Sequence, residues 1–189
     1  MIQSAGVVCP GRLPARMHHH AYVTRDMAAT RAFYEELIGL PLVATWCESD
    51  ISCGRLRTYC HCFFALADGS GLTFFQFARD EDWREFGEER PGSPFIHIAL
   101  DTDAPTQKAI EDRLTQAGYG EPAMHVLDHG YCRSLYVVDP NGLILEFTRD
   151  HPNAMAINRT RASTAYHDLA RWLAGDHRSN NVYRPADRT

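Results

Sequence analysis

The chain offers little of the cysteine patterning that marks small metal-stapled or redox domains. Its six cysteines stand at 9, 47, 53, 60, 62 and 132, and no two form a C-x-x-C pair, the spacing most zinc knuckles and thioredoxin-like sites need. Cys60 and Cys62 flank His61 and could enter a zinc site, but reduced, buried thiols in a cytoplasmic protein are the simpler expectation. No apolar run approaches the roughly 18 residues of a membrane helix, and the N-terminus has no basic-then-apolar leader pattern. Positive charge is not in excess either: 19 Lys and Arg stand against 24 Asp and Glu, a formal net charge of −5. That balance gives no electrostatic footprint for nucleic acid. The acidic residues 80–89, broken by Trp83, Arg84 and Phe86, read as a solvated connection rather than a binding tail.

What remains is the composition of an ordinary globular chain. At 189 residues it can bury about 70% of its unfolded surface. Residues 1–16 carry Gly and Pro without periodicity, so an N-terminal arm is expected there. Residues 19–24 alternate in strand fashion, with His19, Ala21 and Val23 on one face. Asp26 is placed to cap a helix running through Phe33, Tyr34, Leu37 and Ile38. Gly39 suits the left-handed residue that ends it, and Pro41 blocks continuation. Strand patterns follow over 40–46, 58–66 and 72–78.

The order strand, helix, strand, strand, strand then recurs. Residues 96–102 read as a strand, and Asp103 as the cap of a helix with Pro105 in its first turn. Short strands follow near 125–127 and 134–138. Asp139-Pro140-Asn141-Gly142 is a turn, and 143–149 the last strand. The expected organisation is an arm (1–16), a first βαβββ module (17–80), a connection (81–94), a second module (95–150) and a C-terminal helical extension (151–189). In the extension, Ala165, Leu169, Trp172 and Leu173 have helical spacing, suited to packing on the body or on a second subunit.

The repeat reaches down to single residues. His19-His20-Ala21 in the first half answers His97-Ile98-Ala99 in the second, and Gln76-Phe77-Ala78-Arg79-Asp80 answers Glu146-Phe147-Thr148-Arg149-Asp150. Partners lie 78 and 70 residues apart, as if the halves differed only in loop length. Two imidazoles, a carboxylate and a carboxamide at matched positions predict one divalent cation shared between the halves. This donor set suits Fe(II), Mn, Zn, Ni or Co better than Ca or Mg, and two His with one Glu match the facial triad of non-haem Fe(II) oxygenases.

These motifs resemble the vicinal oxygen chelate superfamily of glyoxalase I, extradiol ring-cleaving dioxygenases, methylmalonyl-CoA epimerase, fosfomycin-resistance transferases and bleomycin-resistance proteins. The resemblance rests on His19-x-Ala-x-Val-x-x-Asp26, Phe33-Tyr34 through Gly39-Leu40, His97-Ile98-Ala99-Leu100 and Tyr136-x-x-Asp139-Pro140-x-Gly142-x-x-x-Glu146. It implies an α+β fold of two βαβββ modules forming a cupped, barrel-like mixed sheet around a metal. It also implies a small substrate bound through adjacent oxygens whose developing charge the cation offsets, and a homodimer.

The resemblance leaves the reaction open between two classes. Tyr136 lies ten residues before Glu146, a spacing similar to that of the active-site Tyr of extradiol dioxygenases. His129, seven residues upstream, could act as acid or base. These favour a ring-cleaving dioxygenase using Fe(II) on a catechol-like substrate, with His19, His97 and Glu146 as ligands. Those enzymes also place a His at the start of the strand that here holds Gln76; this strand has none, and His61 on the preceding strand is the nearest substitute. If Gln76 is a fourth ligand, a glyoxalase- or epimerase-type isomerase or lyase follows instead, because too few coordination positions remain for a chelating substrate and dioxygen together. A purely drug-binding protein is disfavoured by the two His and the Glu.

Overall fold

The computed structural model describes residues 14–87, 93 and 95–184; most of the expected N-terminal arm and much of the connection between the modules lie outside them. Two four-stranded mixed sheets form. The first contains β1 (His19–Val23), β2 (Leu42–Ser52), β3 (Arg55–Ala65) and β4 (Gly71–Phe77), in the order β1-β4-β3-β2. The second contains β5 (Ile98–Asp101), β6 (Met124–Asp128), β7 (Cys132–Val138) and β8 (Ile144–Asp150), in the order β5-β8-β7-β6. In each sheet the first strand runs parallel to the last, and the other pairs are antiparallel. Two modules of one topology are therefore present, as the repeat predicted. The sheets do not close into a barrel.

The helices form where the capping chemistry places them. Helix α1 is α-helical over Met27–Arg31 and continues with wider π-type turns over Ala32–Ile38. Asp26 accepts a hydrogen bond from the Ala29 N–H at 2.9 Å, and Gly39 ends the helix at φ +92°. Helix α3 (Ala104–Gln116) begins under Asp103, whose carboxylate accepts from the Thr106 N–H at 2.8 Å. Each cap satisfies an N–H that the first helical turn leaves without a partner.

Alternation along the strands gives each sheet one apolar face, and both apolar faces pack on these two helices. Phe64, Leu72 and Phe74 of the first sheet join Leu135, Val137, Leu145 and Phe147 of the second in a single core with Phe33, Tyr34, Ile110 and Leu114. Each such side chain contributes about 1.5–3 kcal/mol by leaving water. Polar ties cross the same junction. The Tyr34 hydroxyl donates to Asp139 at 2.9 Å, and Arg113 donates to the Leu37 and Ile38 carbonyls at 2.6 and 2.9 Å. The two sheets therefore share a helical layer, and the other face of each sheet is turned from it.

One expectation needs correction. The acidic stretch is not simply a solvated loop: Asp80–Phe86 forms helix α2, and Asp82 is buried in an ion pair with fully buried Arg57. Glu85 pairs with the same guanidinium at 2.8 Å, and Phe86 lies under it. A buried arginine needs such partners because an isolated charge out of water is costly. The C-terminal helix α4 (Ala154–Leu173) lies within the expected helical extension and stays mostly exposed; along it only Ile157 is buried. Among the described residues no helix is long and apolar enough to cross a membrane.

Candidate metal centre

The far face of the second sheet assembles most of the expected site. On β8, Glu146 stands beside Ala99 of β5 and across from Tyr136 of β7. The small Ala99 leaves room for the carboxylate to reach His97, whose Nε2 lies 2.9 Å from a Glu146 oxygen. The other Glu146 oxygen accepts a hydrogen bond from the Ser134 hydroxyl. Glu146 is nearly buried and the His97 side chain is 28% exposed, so the pair opens to one side only. An imidazole nitrogen and a carboxylate oxygen facing one another on a small-residue floor fit the two ends of a divalent-metal site.

Tyr136 and His129 join the same cluster. The Asp139–Gly142 turn brings β7 back beside β8, so ten residues of sequence become direct cross-strand neighbours. Asp139 fastens the turn by accepting from the Asn141 and Leu143 N–H groups at 2.8 and 2.7 Å. The Tyr136 hydroxyl lies 3.2 Å from His129 Nε2, and its ring meets His97 edge-on. Burial, and then the Glu146 charge, push the Tyr136 phenol up to about 12, so at neutral pH it is a hydrogen-bond donor.

Two neighbours escaped the sequence reading. His125 stacks on Tyr136 at 4.9 Å, and Ser134 orients Glu146. Ser134 could have been found, because it precedes Tyr136 by two on one strand and so shares its face. His125 required the β6–β7 register, which no sequence pattern supplies.

The first sheet contributes differently. His19 lies on its far face, exposed, beside His61 and Phe63 at ring-centroid distances of 6.3 and 5.9 Å. His61 stacks on Phe75 at 3.6 Å, and burial lowers its pKa. Gln76 does not lie on that face. It shares the helix-packed side with Phe74, and its carbonyl oxygen accepts from the Met27 N–H at 3.0 Å, capping α1. The first-sheet residue in the register of Glu146 is Thr73, which pairs with Ala21 as Glu146 pairs with Ala99. The match of Gln76-Phe77 to Glu146-Phe147 is thus three residues out of structural register. An odd slip reverses the face of every side chain on a strand.

Among the described residues no three metal-binding side chains converge. The chain brings His97 and Glu146 together and leaves His19 on another sheet. Between the edge strands β1 and β5 runs a largely apolar cleft of about 920 Å³, with Val23, Phe75, Phe86, Ile144 and Ala99 in its wall and His97 on its lining.

Solved structures share this architecture. Fosfomycin resistance protein FosX from Listeria monocytogenes, in complex with Mn(II) and sulfate, is similar over 76% of this chain and 99% of its own, at 14% identity and a TM-score of 0.51. A glyoxylase/bleomycin resistance protein/dioxygenase domain from Frankia sp. EAN1pec covers 75% and 95%, at 20% identity and 0.52. FosX from Mesorhizobium loti covers 77% and 99%, at 16% and 0.51. Among curated proteins none matches the sequence. The family model for the Glyoxalase/Bleomycin resistance protein/Dioxygenase superfamily matches residues 16–147, and the chain belongs to that superfamily.

Proposed function

We propose that this protein is a metal-dependent enzyme that holds a small substrate through adjacent oxygens, and that its reaction is ring cleavage of a catechol-like compound by dioxygen. The observation that carries this reading is Tyr136, directly across from Glu146 and joined to His129. The ligands are His97, Glu146 and His19, with Fe(II) favoured and Mn, Zn, Ni or Co as the other candidates. A bound cation would draw together the substrate oxygens and offset their developing charge. The residues do the rest. The Tyr136 phenol donates a hydrogen bond to a substrate oxygen, and His129, in contact with that phenol, takes or returns the proton. Ser134 keeps the Glu146 carboxylate aimed at His97. The apolar cleft walls suit an aromatic body and exclude water.

Held by only three protein ligands, a divalent cation would keep room for both a chelating substrate and dioxygen. The amide of Gln76, committed to Met27, supports the three-ligand set and weighs against the isomerase or lyase reading, which uses four. That FosX of the same fold is solved with Mn(II) supports a divalent ion at this site.

The third ligand has to arrive from elsewhere. Among the described residues no third metal-binding side chain joins His97 and Glu146, which supports a site completed by another copy of the chain. The first sheet's open face, with Trp46 59% exposed beside His61, Phe63 and Phe75, is an uncovered aromatic surface. A homodimer in which that face covers the second sheet of another copy brings His19 to His97 and Glu146. Subunit exchange between His19→Ala and His97→Ala protein then restores one complete, tight metal site in each mixed dimer, whereas neither variant alone has a complete site; no recovery on mixing overturns the shared site. For the reaction, anaerobically Fe(II)-loaded protein consumes oxygen with catechols and gives a yellow ring-opened product. No uptake across a broad catechol panel moves the assignment to the isomerase or lyase class.

A further inference from the structure

The family match ends at residue 147, yet the chain beyond it returns to the site. Helix α4 starts beside the β6–β7 turn, where the His151 N–H donates to the Tyr131 carbonyl at 3.0 Å. After Gly175, at φ +91°, the chain doubles back along the helix. Arg171 holds the Asp176 and Arg178 carbonyls at 3.2 and 2.8 Å, and Arg161 holds that of Asn180 at 3.1 Å. Two helix guanidiniums thus fasten the returning segment along its length.

At residues 181–184 it reaches the turn that carries His129. The Asn181 amide donates to the His129 carbonyl and accepts from the Tyr183 N–H, each at 3.1 Å. At Gly130, whose φ is +82°, an added Cβ would collide with the Tyr183 carbonyl, so the two backbones lie in direct contact. Side-chain-free glycine permits both the left-handed conformation and this approach. The inward side of the same turn presents the His129 imidazole to Tyr136.

We infer that the returning C-terminal segment is part of the site, and that Asn181 is a positioning residue: it fixes the His129 backbone so that the imidazole meets the Tyr136 phenol. This rests on the reading of Tyr136 and His129 as the proton-handling pair beside the cation. A segment that merely covered surface would need no directional bond to the backbone of that one residue. Here the amide's donor is spent on His129 and its acceptor on holding the segment's own turn.

The isostere Asn181→Asp separates the two tasks, because it keeps the acceptor for Tyr183 and removes the donor to His129. In the metal-free, full-length protein, the His129 ring signals, identified by their absence from His129→Gln, move toward those of Tyr136→Phe. Amide exchange over residues 128–132 rises about tenfold, the scale of one lost hydrogen bond. Mn(II) affinity stays within about twofold of the parent, since both ligands of the second sheet keep their strands. Asn181→Ala repeats the test if the aspartate disturbs folding. His129 ring signals unchanged in both variants overturn the inference, as does loss of folding in both, which would make the segment a general support. A parent protein that binds no Mn(II) refutes the metal reading and leaves the coupling of Asn181 to His129 legible in the ring signals.

Discussion

The two modules share strand order, register and helix caps, and differ in what they set on their far faces. Beside its small neighbour Ala99, the second places Glu146, with Ser134 and Tyr136 around it. Beside Ala21, the first places Thr73, whose neighbours on β3 and β4 are Phe63, His61 and Phe75. One plan thus yields a polar, half-enclosed cluster in the second module and an open aromatic plate with a single exposed imidazole in the first. The repeat supplies the scaffold twice and the carboxylate only once. An aromatic plate and a polar cluster are also complementary surfaces: the plate can cover the cluster and strengthen every electrostatic contact under it by excluding water.

The sharpest way to break this comparison is to remove the two histidines separately. His97→Ala deletes the imidazole already paired with Glu146 and abolishes stoichiometric metal, measured by elemental analysis of the purified protein. His19→Ala removes the ligand that comes from the plate; it lowers metal affinity at least tenfold while leaving the His97–Glu146 pair formed. Equal and undiminished metal content in both variants sinks the assignment. A matched pair on the buried faces tests the other half of the claim. Phe74 and Phe147 occupy equivalent slots one residue beyond Thr73 and Glu146, at 0% and 3% exposure. Phe74→Ala and Phe147→Ala should each cost about 3–5 kcal/mol in denaturant unfolding. If Phe77, the partner suggested by the sequence repeat, were instead the equivalent core residue, Phe77→Ala would cost as much as Phe147→Ala.

The sequence carried the architecture well because strand alternation, Asp26, Gly39 and Asp103 are local signals with local causes. The placing of Glu146 beside Tyr136 was also legible, since the Asp139–Gly142 turn fixes which residues of β7 and β8 oppose, and the matched repeat positions had already put His97 and Glu146 in one site. Gln76 was not, for a physical reason. A repeat aligned by letters cannot see that β1 and β4 pair with His19 opposite Gly71, and a three-residue slip leaves Phe aligned with Phe while inverting the strand. Closure was invisible as well. How the two sheets are set against each other depends on contacts such as Arg113 with the end of α1, which span about 75 residues of chain.

Tyr136 gives a smaller, pH-dependent contrast between the faces. Its folded pKa is raised above the ordinary tyrosine value to about 12, so the fold favours the protonated phenol. That contribution is complete below about pH 10 and is lost as pH climbs toward 12. Wild-type protein should therefore lose up to about 2–3 kcal/mol of stability relative to Tyr136→Phe between pH 10 and 12. Parallel pH profiles for the two proteins in urea unfolding would refute the buried, carboxylate-facing phenol.

Gln76→Ala has the smallest expected effect and discriminates most finely between the modules. Its amide serves the Met27 N–H, at the start of α1, on the face opposite His19. Losing a helix-capping acceptor of this kind costs about 1 kcal/mol, and the loss should appear as stability, with no change in metal affinity beyond about twofold. A ligand lost from the coordination sphere would behave in reverse: a tenfold or greater fall in affinity, larger than any change in unfolding. The ratio of the two effects, measured on one variant, decides whether the first module offers the cation one side chain or two. One side chain would favour the proposed ring cleavage, and two would favour the isomerase or lyase reading.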